Sequence, residues 1–178
     1  MIVGISGYAR TGKDTVAKFI SEFYNFKHVA FANKLRDCLY ALNPLVDNNK
    51  YLREVIDSVG WNGYKETEWY LEIRRLLQRF GTEVGRDLLH PDIWINSTLN
   101  SHEDLVVSDV RFKNEVDAIK NIYDGYIIRI NRPGVGPVNN HSSDTLIDTL
   151  KVDYIINNDG GIYDLQDKIH LIMEKIWK

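Results

Sequence analysis

The first residues of this chain constrain its fold more than any other segment. A short apolar run, Ile2, Val3 and Ile5, gives way to Gly7-Tyr8-Ala9-Arg10-Thr11-Gly12-Lys13. The stripe Val16, Phe19, Ile20 and Phe23 then follows at helical spacing. An apolar run without polar alternation suits a strand buried on both faces. The stripe suits a helix with one buried side. A glycine loop between such a strand and such a helix is the context that turns a glycine pattern into a phosphate-binding candidate. Its glycines let the backbone curl so that successive N–H groups point inward at an anion. The helix start adds unpaired N–H groups and the positive end of its dipole. Gly7, Tyr8, Ala9, Arg10, Thr11, Gly12 and Lys13 therefore form a candidate ATP site, with Lys13 reaching the β- and γ-phosphates.

The strict form of this motif places Ser or Thr directly after the lysine, where its hydroxyl holds Mg²⁺. Here the residue is Asp14, with Thr15 next. Neighbouring helix positions point about 100° apart, so the two cannot reach a metal in the same way. A carboxylate is a good hard-oxygen ligand for Mg²⁺. Asp14, directly or through water, and Thr15 are both candidate metal ligands; the alternative is that they only stabilise the helix start.

Further along, Phe26–Phe31 reads as a second strand and Lys34–Leu42 as a second helix. From Asn43 to Trp94 no strand is expected. Leu52, Val55, Ile56 and Val59 make one helical stripe there, and Ile73, Leu76, Leu77 and Phe80 another. Asp104–Val110, Tyr126–Ile130 and Val152–Ile156 read as three more strands, with a helix over Val116–Ile122 and a last one carrying Leu165, Ile169, Ile172, Met173 and Ile176. Strands alternating with helices imply an α/β fold, a parallel sheet covered on both faces. No repeat, low-complexity tract or long linker divides the 178 residues, so a single domain is expected.

Composition removes several function classes. The net charge of −3 argues against a stable nucleic-acid complex held by bulk electrostatics. The single cysteine, Cys38, excludes an intrachain disulfide and a Cys-based zinc site. No run approaches the roughly 20 apolar residues of a membrane span. No membrane association is expected, and the chain reads as cytosolic.

Four segments resemble the deoxynucleoside monophosphate kinases of tailed bacteriophages. They are Ser6–Thr15 with its GKD sequence, Leu77–Arg86 with Trp94 downstream, Val107–Glu115, and His141–Asp144 followed by Tyr154–Gly160. The family commonly ends the fourth segment in Glu where this chain has Asp144, which leaves that residue's role open. Animal phosphomevalonate kinases resemble the pattern too, including GKD, and are the runner-up within the same chemistry. The resemblance implies a P-loop NTPase three-layer fold: a five-stranded parallel sheet, a helical acceptor-binding insert at about 33–100 and a short lid at about 131–145. It implies a kinase acting with ATP and Mg²⁺ on a small-molecule substrate, a deoxynucleoside monophosphate. It is compatible with a homodimer and, for a phage-encoded protein, with the host cytoplasm.

Roles follow for individual residues. Asp109 ends a strand at the edge where ligands collect in open α/β sheets. It either acts on Mg²⁺ or the acceptor, or caps the following turn. Arg111 and Arg36 are candidates for the acceptor phosphate as bidentate forks, while Asn114 and Glu115 hold the loop. Gln78, Thr82 and Arg86, read as following a helix through a glycine turn, are substrate-binding candidates: Gln78 for a base edge, Arg86 for the monophosphate. Arg74, Arg75 and Arg79 read as solvated or salt-bridged. One of Trp61, Trp69 and Trp94 offers a stacking face, with Trp94 the candidate. Arg10 and Arg132 are candidates to stabilise charge on the transferring group, alongside Lys13. His141 either contributes to the lid or has no catalytic role. A P-loop binding module without transfer is the alternative of a different class.

Overall fold

The structure is a computed structural model that describes residues 1–100, 103–137 and 146–177. Its residues group into two compact units, Met1–Phe31 with Thr98–Lys178, and Ala32–Ser97.

The first unit is built on a five-stranded parallel sheet: β1 (Ile2–Ser6), β2 (Lys27–Val29), β5 (Leu105–Val110), β6 (Tyr126–Asn131) and β7 (Tyr154–Asn157), in the order β2-β5-β1-β6-β7. Every residue of β1 is buried, as its unbroken apolar run requires. Successive side chains alternate between faces. Val3 and Ile5 join a core with Val16, Ala17 and Ile20 of α1 (Lys13–Tyr24) and with Leu165, Ile169, Ile172, Met173 and Ile176 of α7 (Ile162–Ile176). A side chain at Gly4 would meet Ile119 and Ile127 instead. Ile119 belongs to a π-helical turn, Ala118–Ile122, that continues α6 (Lys113–Asp117). Helices therefore cover both faces of the sheet. The C-terminal end of β1 lies between β5 and β6, where the chain crosses from one side of β1 to the other. Ligands of open α/β sheets bind at such switch points.

The second unit is mainly helical. It holds most of α2 (Phe31–Leu42), α3 (Leu52–Gly63), α4 (Tyr70–Arg79), a π-helical segment Phe80–Leu89 and most of α5 (Ile93–Thr98). Its core joins Leu39, Val46, Leu52, Val55, Ile56, Tyr64 and Ile73.

Three local expectations change. A small antiparallel hairpin, β3 (Leu45–Asp47) and β4 (Lys50–Tyr51), lies where no strand was expected. Strands of three and two residues are too short to show alternation. The second main strand ends at Val29, because Phe31 already starts α2. Phe23 and Val59, placed on buried stripes, are exposed, each lying near the C-terminal end of its helix. Cys38 is exposed on α2. Among the described residues no helix is long and apolar enough to cross a membrane.

Candidate functional site

In the first unit, β1 runs straight into the phosphate loop. Gly7 (φ +142°) and Gly12 (φ +102°) occupy backbone conformations that side chains rarely adopt. A Cβ on Gly7 would stand 2.4 Å from the Ile130 carbonyl oxygen, so the loop passes too close to β6 for any other residue. Arg10 also takes a left-handed conformation, at φ +67°, and its side chain is exposed.

One carbonyl organises the loop. The Tyr8 oxygen accepts from the Thr11 N–H at 3.4 Å, the Thr11 hydroxyl at 2.9 Å and the Lys13 ammonium at 2.5 Å. Lys13 is buried, held inside the loop by that bond. Bringing a lysine out of water into a glycine loop at a helix start makes a cationic site whose natural complement is a phosphate. Asp14 is exposed and Thr15 half-buried in the first turn of α1. Both offer hard oxygen donors next to Lys13. Among the described residues no group of three or more His, Cys, Asp or Glu side chains clusters as an all-protein metal site. Mg²⁺ characteristically takes one or two protein oxygens and completes its shell with water and phosphates, so this donor set fits it.

Asp109, at the end of β5, accepts the Phe31 N–H on Oδ1 at 2.8 Å and so satisfies the first turn of α2. Glu115, almost fully buried, accepts the N–H groups of Arg111 (2.6 Å) and Phe112 (3.0 Å) on one oxygen. It holds the loop after β5, as expected of it. Arg111 is half-buried and Arg132 exposed. His141, Asp144 and the rest of 138–145, where the end of a lid was expected, lie outside the described residues.

The second unit holds the remaining candidates. Arg36 stacks its guanidinium 5.7 Å from the centre of the Trp61 ring. Gln78 lies in the last turn of α4, while Thr82 and Arg86 lie in the π-helical segment that continues it. The glycine turn expected between them is helix. Gly81 and Gly85 are there for close packing: a Cβ on Gly81 would stand 3.0 Å from Leu35, and one on Gly85 would stand 2.6 Å from the Trp94 ring. Trp94 itself is buried, and its indole N–H donates to the Gly81 carbonyl at 2.8 Å. Trp94, the expected stacking platform, thus packs its ring against the glycine notch and has its one donor satisfied. Trp69 lies 5.7 Å from the Lys50 ammonium. Arg86 donates to the Pro91 carbonyl at 3.2 Å. Arg75 and Arg79 are salt-bridged to Glu72 and Glu83 at helical spacing, within the solvated or salt-bridged role expected of them.

Sequence reasoning missed Asp148 and Asn158, which bond the phosphate loop from far along the chain. Asp148 accepts the Tyr8 hydroxyl at 2.5 Å, and the Asn158 amide donates to the Thr11 carbonyl at 2.9 Å. Asn158 stood inside a segment that carries the family resemblance, yet nothing local connects it to the loop.

Comparison with known proteins decides the family. The profile of the deoxynucleotide monophosphate kinases matches residues 62–169. A protein of Acanthamoeba polyphaga mimivirus, provisionally named a deoxynucleotide monophosphate kinase, is 30% identical over 95% of this chain and 94% of its own length. The chain belongs to the deoxynucleotide monophosphate kinase family. The deoxynucleotide monophosphate kinase of Escherichia phage RB69 is 26% identical over 68% of this chain, a match that spans 50% of that protein. Among solved structures, the shikimate kinase of Aquifex aeolicus superposes with a TM-score of 0.50 at 14% identity, covering 99% of this chain and 98% of its own. At that identity the likeness concerns the fold alone.

Proposed function

We propose that the chain transfers the γ-phosphate of ATP to deoxynucleoside monophosphates, releasing ADP and deoxynucleoside diphosphates. The observation that carries this reading is the buried Lys13 ammonium within a glycine-framed loop at the start of α1, in a chain of this family.

A phosphate oxygen of the acceptor attacks the γ-phosphorus, and the bond from that phosphorus to the β,γ-bridging oxygen breaks in line. Such transfers pass through a loose transition state, so catalysis is positioning and charge stabilisation, with no protein nucleophile. The loop amides and Lys13 hold the β- and γ-phosphates, and Lys13 exchanges its bond with the Tyr8 carbonyl for phosphate oxygens. Arg10 and Arg132 stabilise charge on the transferring group. Arg36, Gln78, Thr82, Arg86 and Arg111 bind the acceptor, the arginines at its phosphate and Gln78 at a base edge. Asp14 or Thr15 would hold Mg²⁺, which would supply charge neutralisation to the phosphates. Asp109 either orders water near that site or serves only as the cap of α2.

A coupled ADP-release assay with Mg·ATP against dAMP, dCMP, dGMP, dTMP, the ribonucleotides and phosphomevalonate tests the reading. Turnover on deoxynucleoside monophosphates supports it. Activity on phosphomevalonate alone keeps the chemistry and overturns the acceptor, and ATP binding without any turnover leaves a binding module. Lys13→Ala is expected to lower transfer by about 10³-fold or more, the scale of losing one charge-stabilising donor.

A further inference from the structure

The phosphate loop is fastened at two points by residues that its motif does not contain, and all of the parts belong to the first unit. At the first point, the Tyr8 hydroxyl donates to Asp148 in the short 3₁₀ turn Ile147–Thr149. That turn is tied to the sheet through Arg129, whose guanidinium donates to the carbonyls of Ile147 and Leu150 and lies 3.8 Å from the second Asp148 oxygen. Arg129 sits on β6 in register with Ser6, the last residue before the loop. A ring of contacts therefore runs from Ser6 through Arg129 and Asp148 to Tyr8. At the second point, the Asn158 amide donates to the Thr11 carbonyl, while the Asn158 backbone N–H donates to the Asn131 carbonyl at the end of β6 at 2.7 Å. Asn158 is pressed so close that a Cβ on Gly12 would stand 2.7 Å from its amide nitrogen.

The two fastened peptides are the ones that shape the anion site. The Tyr8 carbonyl takes three donors, including Lys13, and the Thr11 carbonyl precedes Gly12 at the entrance to α1. A loop whose amides already point inward loses less freedom on binding phosphate, so preorganisation appears as affinity for the donor. It adds nothing specific to the acceptor.

From this geometry we infer that Asp148 and Asn158 are positioning residues for the donor phosphates, acting through Tyr8 and Thr11 respectively. The inference rests on the donor reading of the loop given above. Arg129 acts one step further out, by holding the turn that presents Asp148.

The test is steady-state kinetics with ATP and a deoxynucleoside monophosphate varied independently, together with thermal unfolding of each variant. Asp148→Ala and Tyr8→Phe are each expected to raise KM for ATP about fivefold, the scale of one hydrogen bond of about 1 kcal/mol. Combining them should raise it no further, because both cut the same bond. Asn158→Ala is expected to raise KM for ATP about tenfold, with KM for the acceptor within twofold. In Asp148→Ala, kcat should stay within twofold. Lowered melting temperatures with an unchanged KM for ATP would mean that these contacts only stabilise the fold, and the proposal would be overturned. Additive effects of Asp148→Ala and Tyr8→Phe would overturn the latch between them. Lys13→Ala separates the two readings. Its retention of transfer would remove the donor assignment itself, whereas its loss beside wild-type KM values in the anchor variants would sink only this inference.

Discussion

Each unit of the molecule carries a pair of closely spaced glycines, and the two pairs do opposite jobs. Gly7 and Gly12 are conformational: their positive φ values let the chain bend from a strand into a helix through the candidate phosphate loop. Gly81 and Gly85 are volumetric. They sit inside a continuous helical segment and leave room for Leu35 and Trp94. In the first unit absent side chains create a binding surface; in the second they create a packing notch. The sequence pattern alone makes both look like loops.

Replacing one glycine from each pair sharpens the contrast. Gly7→Ala forces a Cβ against a backbone oxygen and also strains φ. A stability loss of about 3 kcal/mol is expected from the two effects together, read as a lower urea midpoint, with ATP binding lost as well. Retained ATP affinity would break the conformational reading. Gly85→Ala meets the rigid Trp94 ring, and that clash outweighs the helix-propensity gain of about 1 kcal/mol that alanine brings. A net loss of about 2 kcal/mol is expected. Hydrogen exchange should place it in residues 80–98, with little change at α1. In a Trp94→Leu background the same substitution should become neutral or favourable, since the two positions are coupled through contact. A Gly85→Ala chain as stable as the wild type would show that the notch has slack.

Asp109 tests where structure ends and chemistry begins. Asp109→Asn keeps an oxygen for the Phe31 N–H and removes only the charge. If Asp109 acts on metal or acceptor, kcat should fall more than tenfold while the urea midpoint holds. Asp109→Ala should add a loss of about 1 kcal/mol for the missing cap. Equal turnover in Asp109→Asn and wild type would leave the residue as a cap alone.

The smallest effect belongs to the helical unit. Glu54 accepts the Tyr51 N–H at 2.8 Å, and this bond, followed by that from Lys50, holds its carboxyl below the usual value. A carboxyl depressed in the folded state stabilises the fold at pH above its unfolded value. That contribution is lost as pH falls through the folded value. Acid titration of stability should therefore be slightly flatter in Glu54→Gln below the ordinary carboxylate range. An identical acid limb in both proteins would show that the cap contributes nothing.

Legibility followed the range of the interactions. The strand, loop and helix at the start were readable because each depends on neighbours within a few residues, and the last helix showed its five buried positions directly. The β3–β4 hairpin was not readable, since its strands are too short to carry a period. The burial of Trp94 was not readable either, because an exposed platform and a packed ring are the same residue in one dimension.

By itself the sequence determined the alternation that builds a parallel sheet, the glycines that shape the phosphate loop and the lysine inside it, all of which are local periodicity and backbone sterics. Only the tertiary structure decided that Asp148 and Asn158 fasten that loop across 140 and 147 positions of chain, and that Trp94 fills the space over Gly85. Contacts at that separation depend on how the strands are ordered in the sheet and how the helices close on one another, and no local pattern records either.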